Sequence, residues 1–290
     1  MRWVAEYALR GRYQATIAAA IPASLPFLHW IFLVFIWVPF VVVALVVLAK
    51  GLKEGLGVAM WVSLPLLVGF AVGQDVSGLT ALAAVVMTAA LLRAAGSWEL
   101  ALYGATILAV IQVGLFGWLS GTLYDEIIAG SYDAMNAYVE SAPEGTSIAL
   151  DEAVMRGIFP ALWALSHGIM TIMVLMLARW CQSEVYHPGA FGDEIQRVRL
   201  ARPMAIGLGL ATLGSAGVPD LRVWAAVVSL PLVIGGACLI HALLKQRGVA
   251  QHWYVVFYAS IVLFANPAMA ILALVMIADS FLDLRRQTNV

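Results

Sequence analysis

The sequence predicts an all-α polytopic transmembrane helical bundle, with about eight to ten membrane segments and both termini in the cytoplasm. Three observations carry that expectation. Hydrophobic residues make up 63% of the 290-residue chain and charged residues only 11%. Apolar runs of membrane-spanning length recur along it, and the basic residues gather at alternate breaks between them. A soluble domain spends about 25% of its residues on charge because its surface must be wetted. Here that wetted surface is missing, so the lipid bilayer is the expected partner. The net charge of −1 gives no electrostatic reason to expect nucleic acid. No linker, low-complexity tract or repeat divides the chain, so 1–290 reads as a single transmembrane domain.

A helix rises 1.5 Å per residue, so a hydrocarbon core of about 30 Å asks for roughly 20 apolar residues. The runs fall at 14–28, 31–49, 56–73, 78–92, 98–118, 157–179, 203–218, 222–244, 252–265 and 267–284. The first follows Arg10 and Arg12 and resembles a signal sequence. Pro22, Pro26 and the immediate second run argue for a retained membrane segment instead. Leu28-His29-Trp30 separates the first two runs, Pro203 opens the seventh, and Asn266-Pro267 marks a turn or kink between the last two. With ten crossings, fourteen of the sixteen Lys and Arg residues lie on the cytoplasmic side, leaving only Arg156 and Arg222 outside. Removing either doubtful hairpin, 14–49 or 252–284, would send a basic end across the membrane.

Two connecting segments stand out. The basic loop 180–202 is expected in the cytoplasm, with a short interfacial helix from Ala190 to Leu200 carrying Phe191, Ile195 and Val198 on one side. On such a helix Asp193 and Arg197 form an i,i+4 pair. The loop reads either as an interfacial connector or as a docking surface for a protein partner. The acidic stretch 118–156 is expected on the periplasmic side as a helical insertion. Its apolar residues Leu123, Ile128, Tyr132, Met135 and Val139 recur at helical spacing. Ser141-Ala142-Pro143-Glu144-Gly145 should end this helix, with a second one starting near Ser147 or Leu150.

Polar groups inside a membrane are costly and so mark candidate sites. Ser166 and His167 lie near the middle of the sixth run, and His241 lies near the inner end of the eighth, close to Cys238. Each is a candidate solute or ion site. The competing reading is a structural hydrogen bond to a neighbouring helix for Ser166 and His167, and a buried, satisfied side chain for His241 and Cys238. At the end of the chain, Asp279, Asp283 and Arg286 share a helical face at spacings of four and three. With Arg197 and Arg199 they form a candidate cytoplasmic ion-pair cluster, either a lock or an ion switch. Ala15, Ala19 and Ala23 form a small-residue row suited to close helix packing, and Gly207, Ala211 and Ser215 form another. Cys181 and Cys238 lack metal-ligand spacing, so no metal site or cofactor is expected. No phosphate-binding glycine loop, HExxH or CxxC is present, and GSAG at 214–217 is not a nucleophile elbow, so the expectation is a non-enzyme.

Three motifs in order, RGRYQAT at 10–16, HPGAFGDEIQRVRL at 187–200 and DSFLDLRR at 279–286, resemble the YybS-like family of predicted bacterial inner-membrane proteins. His187 and Ala190 stand where that family usually reads Asn-Pro-Gly-Gly-Phe. The resemblance implies a multi-pass protein of the bacterial inner membrane whose activity is not settled. Part of the family has been compared with the substrate-binding subunits of energy-coupling-factor vitamin transporters. Those subunits take a small solute from the outer side and dock on a coupling subunit through a small-residue row in the first helix, a role Ala15, Ala19 and Ala23 would fill here. Two functions remain open from sequence: a small-solute binding or transport component lacking its own ATPase, and a scaffold holding protein partners through the periplasmic cap or the cytoplasmic loop.

Overall fold

The computed structural model describes residues 2–141 and 152–287, except for the side chains of Trp30, Leu33, Val34, Arg286 and Gln287. Among the described residues the chain is helical throughout, with no strand. In chain order the helices are α1 (Arg2–Arg10), α2 (Arg12–Ser24), α3 (Trp37–Lys50), α4 (Leu52–Gly73), α5 (Ser77–Ala95) and α6 (Trp98–Leu119). They continue with α7 (Gly121–Ser141), α8 (Glu152–Tyr186), α9 (Ala190–Ile195), α10 (Arg202–Gly217), α11 (Trp224–Val228) and α12 (Leu230–Gln246). The last are α13 (Gln251–Leu263), α14 (Ala265–Leu282) and α15 (Leu284–Gln287). Short 3₁₀ segments at Leu25–Phe27, Trp30–Phe35 and Pro219–Leu221 join neighbours.

Most apolar runs coincide with one helix, but 31–49 opens on the 3₁₀ segment Trp30–Phe35 before α3, 222–244 is divided at Ser229 into α11 and α12, and the helices differ in length. Five are long and apolar enough to cross a membrane: α4, α5, α6, α8 and α14. Two shorter apolar helices, α3 and α12, accompany them. The runs expected at 14–28, 203–218 and 252–265 fold as α2, α10 and α13, of 13, 16 and 13 residues. At 1.5 Å per residue these span only about 20–24 Å, less than a full hydrocarbon core. The stops are local. The α3–α4 reversal sits on Gly51 at φ 103, a conformation that a Cβ disfavours. Gly96, at φ 62, ends α5, and Pro231 lies in the first turn of α12 beyond the break at Ser229. The break between α13 and α14 falls at Phe264, and Pro267 is accommodated in the first turn of α14 rather than forming the turn itself.

The centre of the bundle is α3. Every residue from Pro39 to Leu48 is buried, and α1, α2, α4, α5 and α8 all pack against it. A helix that is apolar on all sides is stable only when enclosed. Close approach on one flank is set by Gly55, where a Cβ would stand 2.1 Å from Val47 Cγ2. Ala15, Ala19 and Ala23 are all buried in the packing of α2 against α3 and α4. The row is therefore used within the chain, which removes it as the docking surface that the transporter comparison implied. In contrast α13 buries no residue, α10 buries only Ala205, and Gly207 and Ala211 of the second row are exposed.

The two ends of the bundle differ in character. At one end Ser120 bonds the Gln74 carbonyl and accepts from Val76 N at 3.2 Å, joining the α4–α5 and α6–α7 turns. Beside it α7 turns its 123, 128, 132, 135 and 139 face toward the protein, with Ile128 fully buried. Arg156 reaches from α8 to Asp125 of α7 at 2.6 Å. The break expected at 142–145 and the helix start near 147–150 lie outside the described residues. At the other end Arg93 and Gln182 both donate to the Leu48 carbonyl that closes α3.

Candidate functional site: an aromatic cleft and an ion-pair cluster

The basic segment folds as a strap across one end of the bundle. His187 to Gly189 turns the chain out of α8, with Gly189 at φ 89, and α9 follows for less than two turns. Because α9 stops at Ile195, the expected Asp193–Arg197 helical pair does not form; Asp193 lies 3.3 Å from Lys245 of α12 instead. Glu194 holds the strap down, accepting from Arg179 at 2.9 Å and from Trp98 Nε1 at 2.7 Å. Phe191 packs edge-on to Trp98, Phe191 and Ile195 are half-buried, and Val198 is buried, as their spacing predicts. Glu99 fastens the far end, accepting from Ala201 N at 2.7 Å and from Tyr103 at 2.9 Å. The tertiary roles of Glu99 and Glu194 were invisible from sequence, since Ala201, Arg179 and Trp98 are brought to them from other segments.

The ion-pair cluster forms where the strap meets the end of α14. Asp279 is fully buried. Its Oδ1 accepts from Leu284 N at 2.9 Å, and its Oδ2 lies 3.9 Å from Arg199 Nε and 3.8 Å from Arg285 Nε. Asp283 lies 3.2 Å from Arg199 Nη1. Arg202 donates to the Ser280 carbonyl at 2.9 Å, and Arg199 to the Asp279 carbonyl at 3.3 Å. The last carbonyls of a helix lack intrahelical partners and carry partial negative charge, so two arginines suit them. Arg285 also donates to the carbonyls of Gln196 and Val198, both at 2.6 Å. Burial is the largest influence on its guanidinium and lowers its pKa, while Asp279 pulls it back up.

This arrangement corrects two members of the expected cluster. Asp283 adopts a left-handed conformation at φ 49 and ends α14, so a continuous helical register no longer runs to Arg286. Arg285 is turned inward in its place, and the side chain of Arg286 lies outside the described residues. Arg197 is exposed and forms none of the ion pairs among the described residues.

Ser166 and His167 are held by their own helix rather than by a neighbour. Ser166 donates to the Trp163 carbonyl at 2.8 Å, and His167 Nδ1 lies 3.0 Å from the same oxygen. The imidazole stacks on Trp163 at 5.0 Å, which in turn stacks on Phe116 at 4.7 Å. The interhelical contact expected of this pair is thus made by ring stacking through Trp163. Gln112 of α6, passed over in the sequence, is buried with neither amide atom hydrogen-bonded.

His241 has a different setting. Its Nδ1 lies 3.0 Å from the Tyr258 hydroxyl, and its ring lies 5.0 Å from that of Tyr254. Together with Tyr258 it lines a cleft of about 900 Å³ formed by α3, α8, α9, α12 and α13. Met173, Met176, Leu177 and Ile234 supply apolar wall, and Trp37, Trp180 and Phe191 supply aromatic surface. Glu184 also faces the cleft. Small-molecule sites are typically apolar concavities of roughly 300–1,000 Å³ with a few polar groups, which is the character of this cleft. Two polar cavities of about 430 and 590 Å³ at the same end share Asp193, Arg197 and Arg199. Among the described residues, no group of three His, Cys, Asp or Glu side chains is placed to hold a metal ion. No family model, curated protein or solved structure matches the chain.

Proposed function

We propose that this integral membrane protein is a small-solute binding component of the bacterial inner membrane, of the YybS-like type, which relies on other subunits or an ion gradient for energy. Of the candidate solute or ion residues Ser166, His167 and His241, it is His241 that lines the cleft. The observation that supports the reading is the cleft of about 900 Å³ with the His241–Tyr258 pair on its wall. An apolar wall with one oriented hydrogen-bonding pair provides binding energy together with orientation. The motifs at 10–16, 187–200 and 279–286 support the family assignment, and the absence of a nucleotide-binding motif supports a separate energy source.

The test is ligand-induced thermal stabilisation of the purified protein across a metabolite and amphiphile library, repeated with Met173→Trp to fill the cleft. Stabilisation by a compound that Met173→Trp abolishes supports the reading. Stabilisation that Met173→Trp leaves intact moves the site elsewhere, and a library without any stabilising compound counts against solute binding.

A scaffold role is the second reading, favoured by one observation: Arg197 projects from the strap without an ion pair among the described residues, while Arg199 and Arg202 are committed to α14. A protein partner that co-purifies with the wild type and is lost on Arg197→Ala would favour it.

A further inference from the structure

We propose that the cleft takes a lipophilic cation: an aromatic or alkyl body carrying a single positive charge, drawn from the bilayer and bound against Glu184. The proposal rests on the solute-binding reading above and assigns the chemistry of the solute.

Charge decides between ligand classes here. Among the described residues, Glu184 is the only Asp, Glu, Lys or Arg on the cleft wall. It is half-buried and makes no hydrogen bond or ion pair among the described residues. Other carboxylates at this end of the bundle are engaged: Glu194 with Arg179, Asp193 with Lys245, Glu99 with Tyr103 and the Ala201 amide, and Asp279 and Asp283 with Arg199. A cation entering the cleft would find in this half-buried carboxylate an opposite charge to pair with. Among the described residues no lysine or arginine lines the cleft to receive an anion, and Lys245 is turned to Asp193. An anionic solute would meet Glu184 with repulsion and no compensating partner.

The rest of the wall fits the same class. Trp37, Trp180, Phe191 and Tyr258 present aromatic rings, whose faces attract cations most strongly where water is excluded. Met173 and Met176 supply polarisable, adaptable surface that accepts bodies of varied shape. The cleft also opens sideways. Met173 is 53% exposed and Trp180 36%, both on the flank of the spanning helix α8. A solute dissolved in the bilayer therefore reaches the cleft without passing through the bundle. Its apolar body would lie along α8 and α12, with its charge toward the strap end where Glu184 sits. His241, held by Tyr258, offers a hydrogen bond to any donor or acceptor on that head.

The experiment is equilibrium binding of radiolabelled tetraphenylphosphonium to the purified full-length protein in detergent, with the near-isosteric anion tetraphenylborate as competitor. Wild type, Glu184→Gln and Met173→Trp are compared, each checked for an unchanged unfolding temperature. The expected result is saturable binding that tetraphenylborate does not displace, that Met173→Trp abolishes, and that Glu184→Gln weakens about ten-fold or more. Equal binding of both ions, untouched by Glu184→Gln but lost in Met173→Trp, would overturn the cation assignment while leaving the cleft as a solute site. Absence of saturable tetraphenylphosphonium binding would also overturn it, and solute binding would then stand or fall on the stabilisation screen. If Glu184→Gln fails to fold, Glu184→Lys is used with the ions exchanged. A switch of preference to tetraphenylborate supports the assignment and an unchanged preference overturns it.

Discussion

Removing the carboxylate of Asp279 should destabilise the protein more than other single polar changes at this end of the bundle. The side chain is fully buried, and Arg285, 3.8 Å from its Oδ2, is only 10% exposed. In Asp279→Ala the guanidinium of Arg285 becomes a buried charge without its carboxylate, and Leu284 N loses its acceptor. Breaking a buried pair from one side costs about 3–5 kcal/mol, to which the lost hydrogen bond adds roughly 1 kcal/mol. Asp279→Asn keeps an acceptor for Leu284 and should fall between wild type and Ala. The double change Asp279→Leu with Arg285→Met removes both charges together and should recover much of the loss, because the penalty belongs to the uncompensated charge. Folded yield and denaturant unfolding in detergent measure all four proteins. An Asp279→Ala protein as stable as wild type would refute the structural lock, and if its solute binding were lost it would mark Asp279 as an ion site instead. A double variant no better than Asp279→Ala would refute the electrostatic account.

Three further outcomes follow from the packing. Gly236→Ala should sharply reduce folded yield, since its Cβ would stand 2.2 Å from the Leu272 carbonyl oxygen and push α12 from α14, whereas Gly207→Ala, with open space around it, should fold normally. Equal yields from the two would contradict the close α12–α14 contact. Gln112→Met should raise stability by about 1 kcal/mol, because it replaces a buried amide lacking hydrogen bonds with an apolar side chain of similar size; a loss of stability on unfolding would mean the amide is satisfied. Cysteines placed at Asp133 of α7 and Gly192 of α9 should react with an impermeant maleimide from opposite sides of the membrane. They flank α8, whose 35 residues reach about 52 Å. Labelling of both from one side would overturn the threading.

The positions of the helices were legible in the sequence because apolar runs and their breaks are local properties. Gly51, Gly96, Pro203 and Pro231 stop or start helices wherever the chain is placed. Three of the five expected members of the ion-pair cluster were legible for the same reason: Asp279 and Asp283 lie four residues apart at the end of α14, and Arg199 lies in the segment expected at the same end. The exchange of Arg286 for Arg285 was not, since it depends on the left-handed conformation of a single residue, Asp283. The pairing of Asp193 with Lys245, Glu99 with the Ala201 amide and Glu194 with Trp98 was hidden too, because each joins distant segments, and so was the consumption of the Ala15, Ala19 and Ala23 row by α3 and α4.

Composition alone determined that the solvent of this protein is lipid and that its architecture is helical, since a backbone in hydrocarbon must satisfy its own hydrogen bonds. Tertiary structure decided which apolar helix is enclosed, which flank remains open and which acid lines the cleft. Those are relations between distant segments. The cleft exists only because α3, α8, α9, α12 and α13 meet around it, and Glu184 is distinguished there because, among the described residues, Glu194 and Asp193 pair with Arg179 and Lys245 while it forms no ion pair.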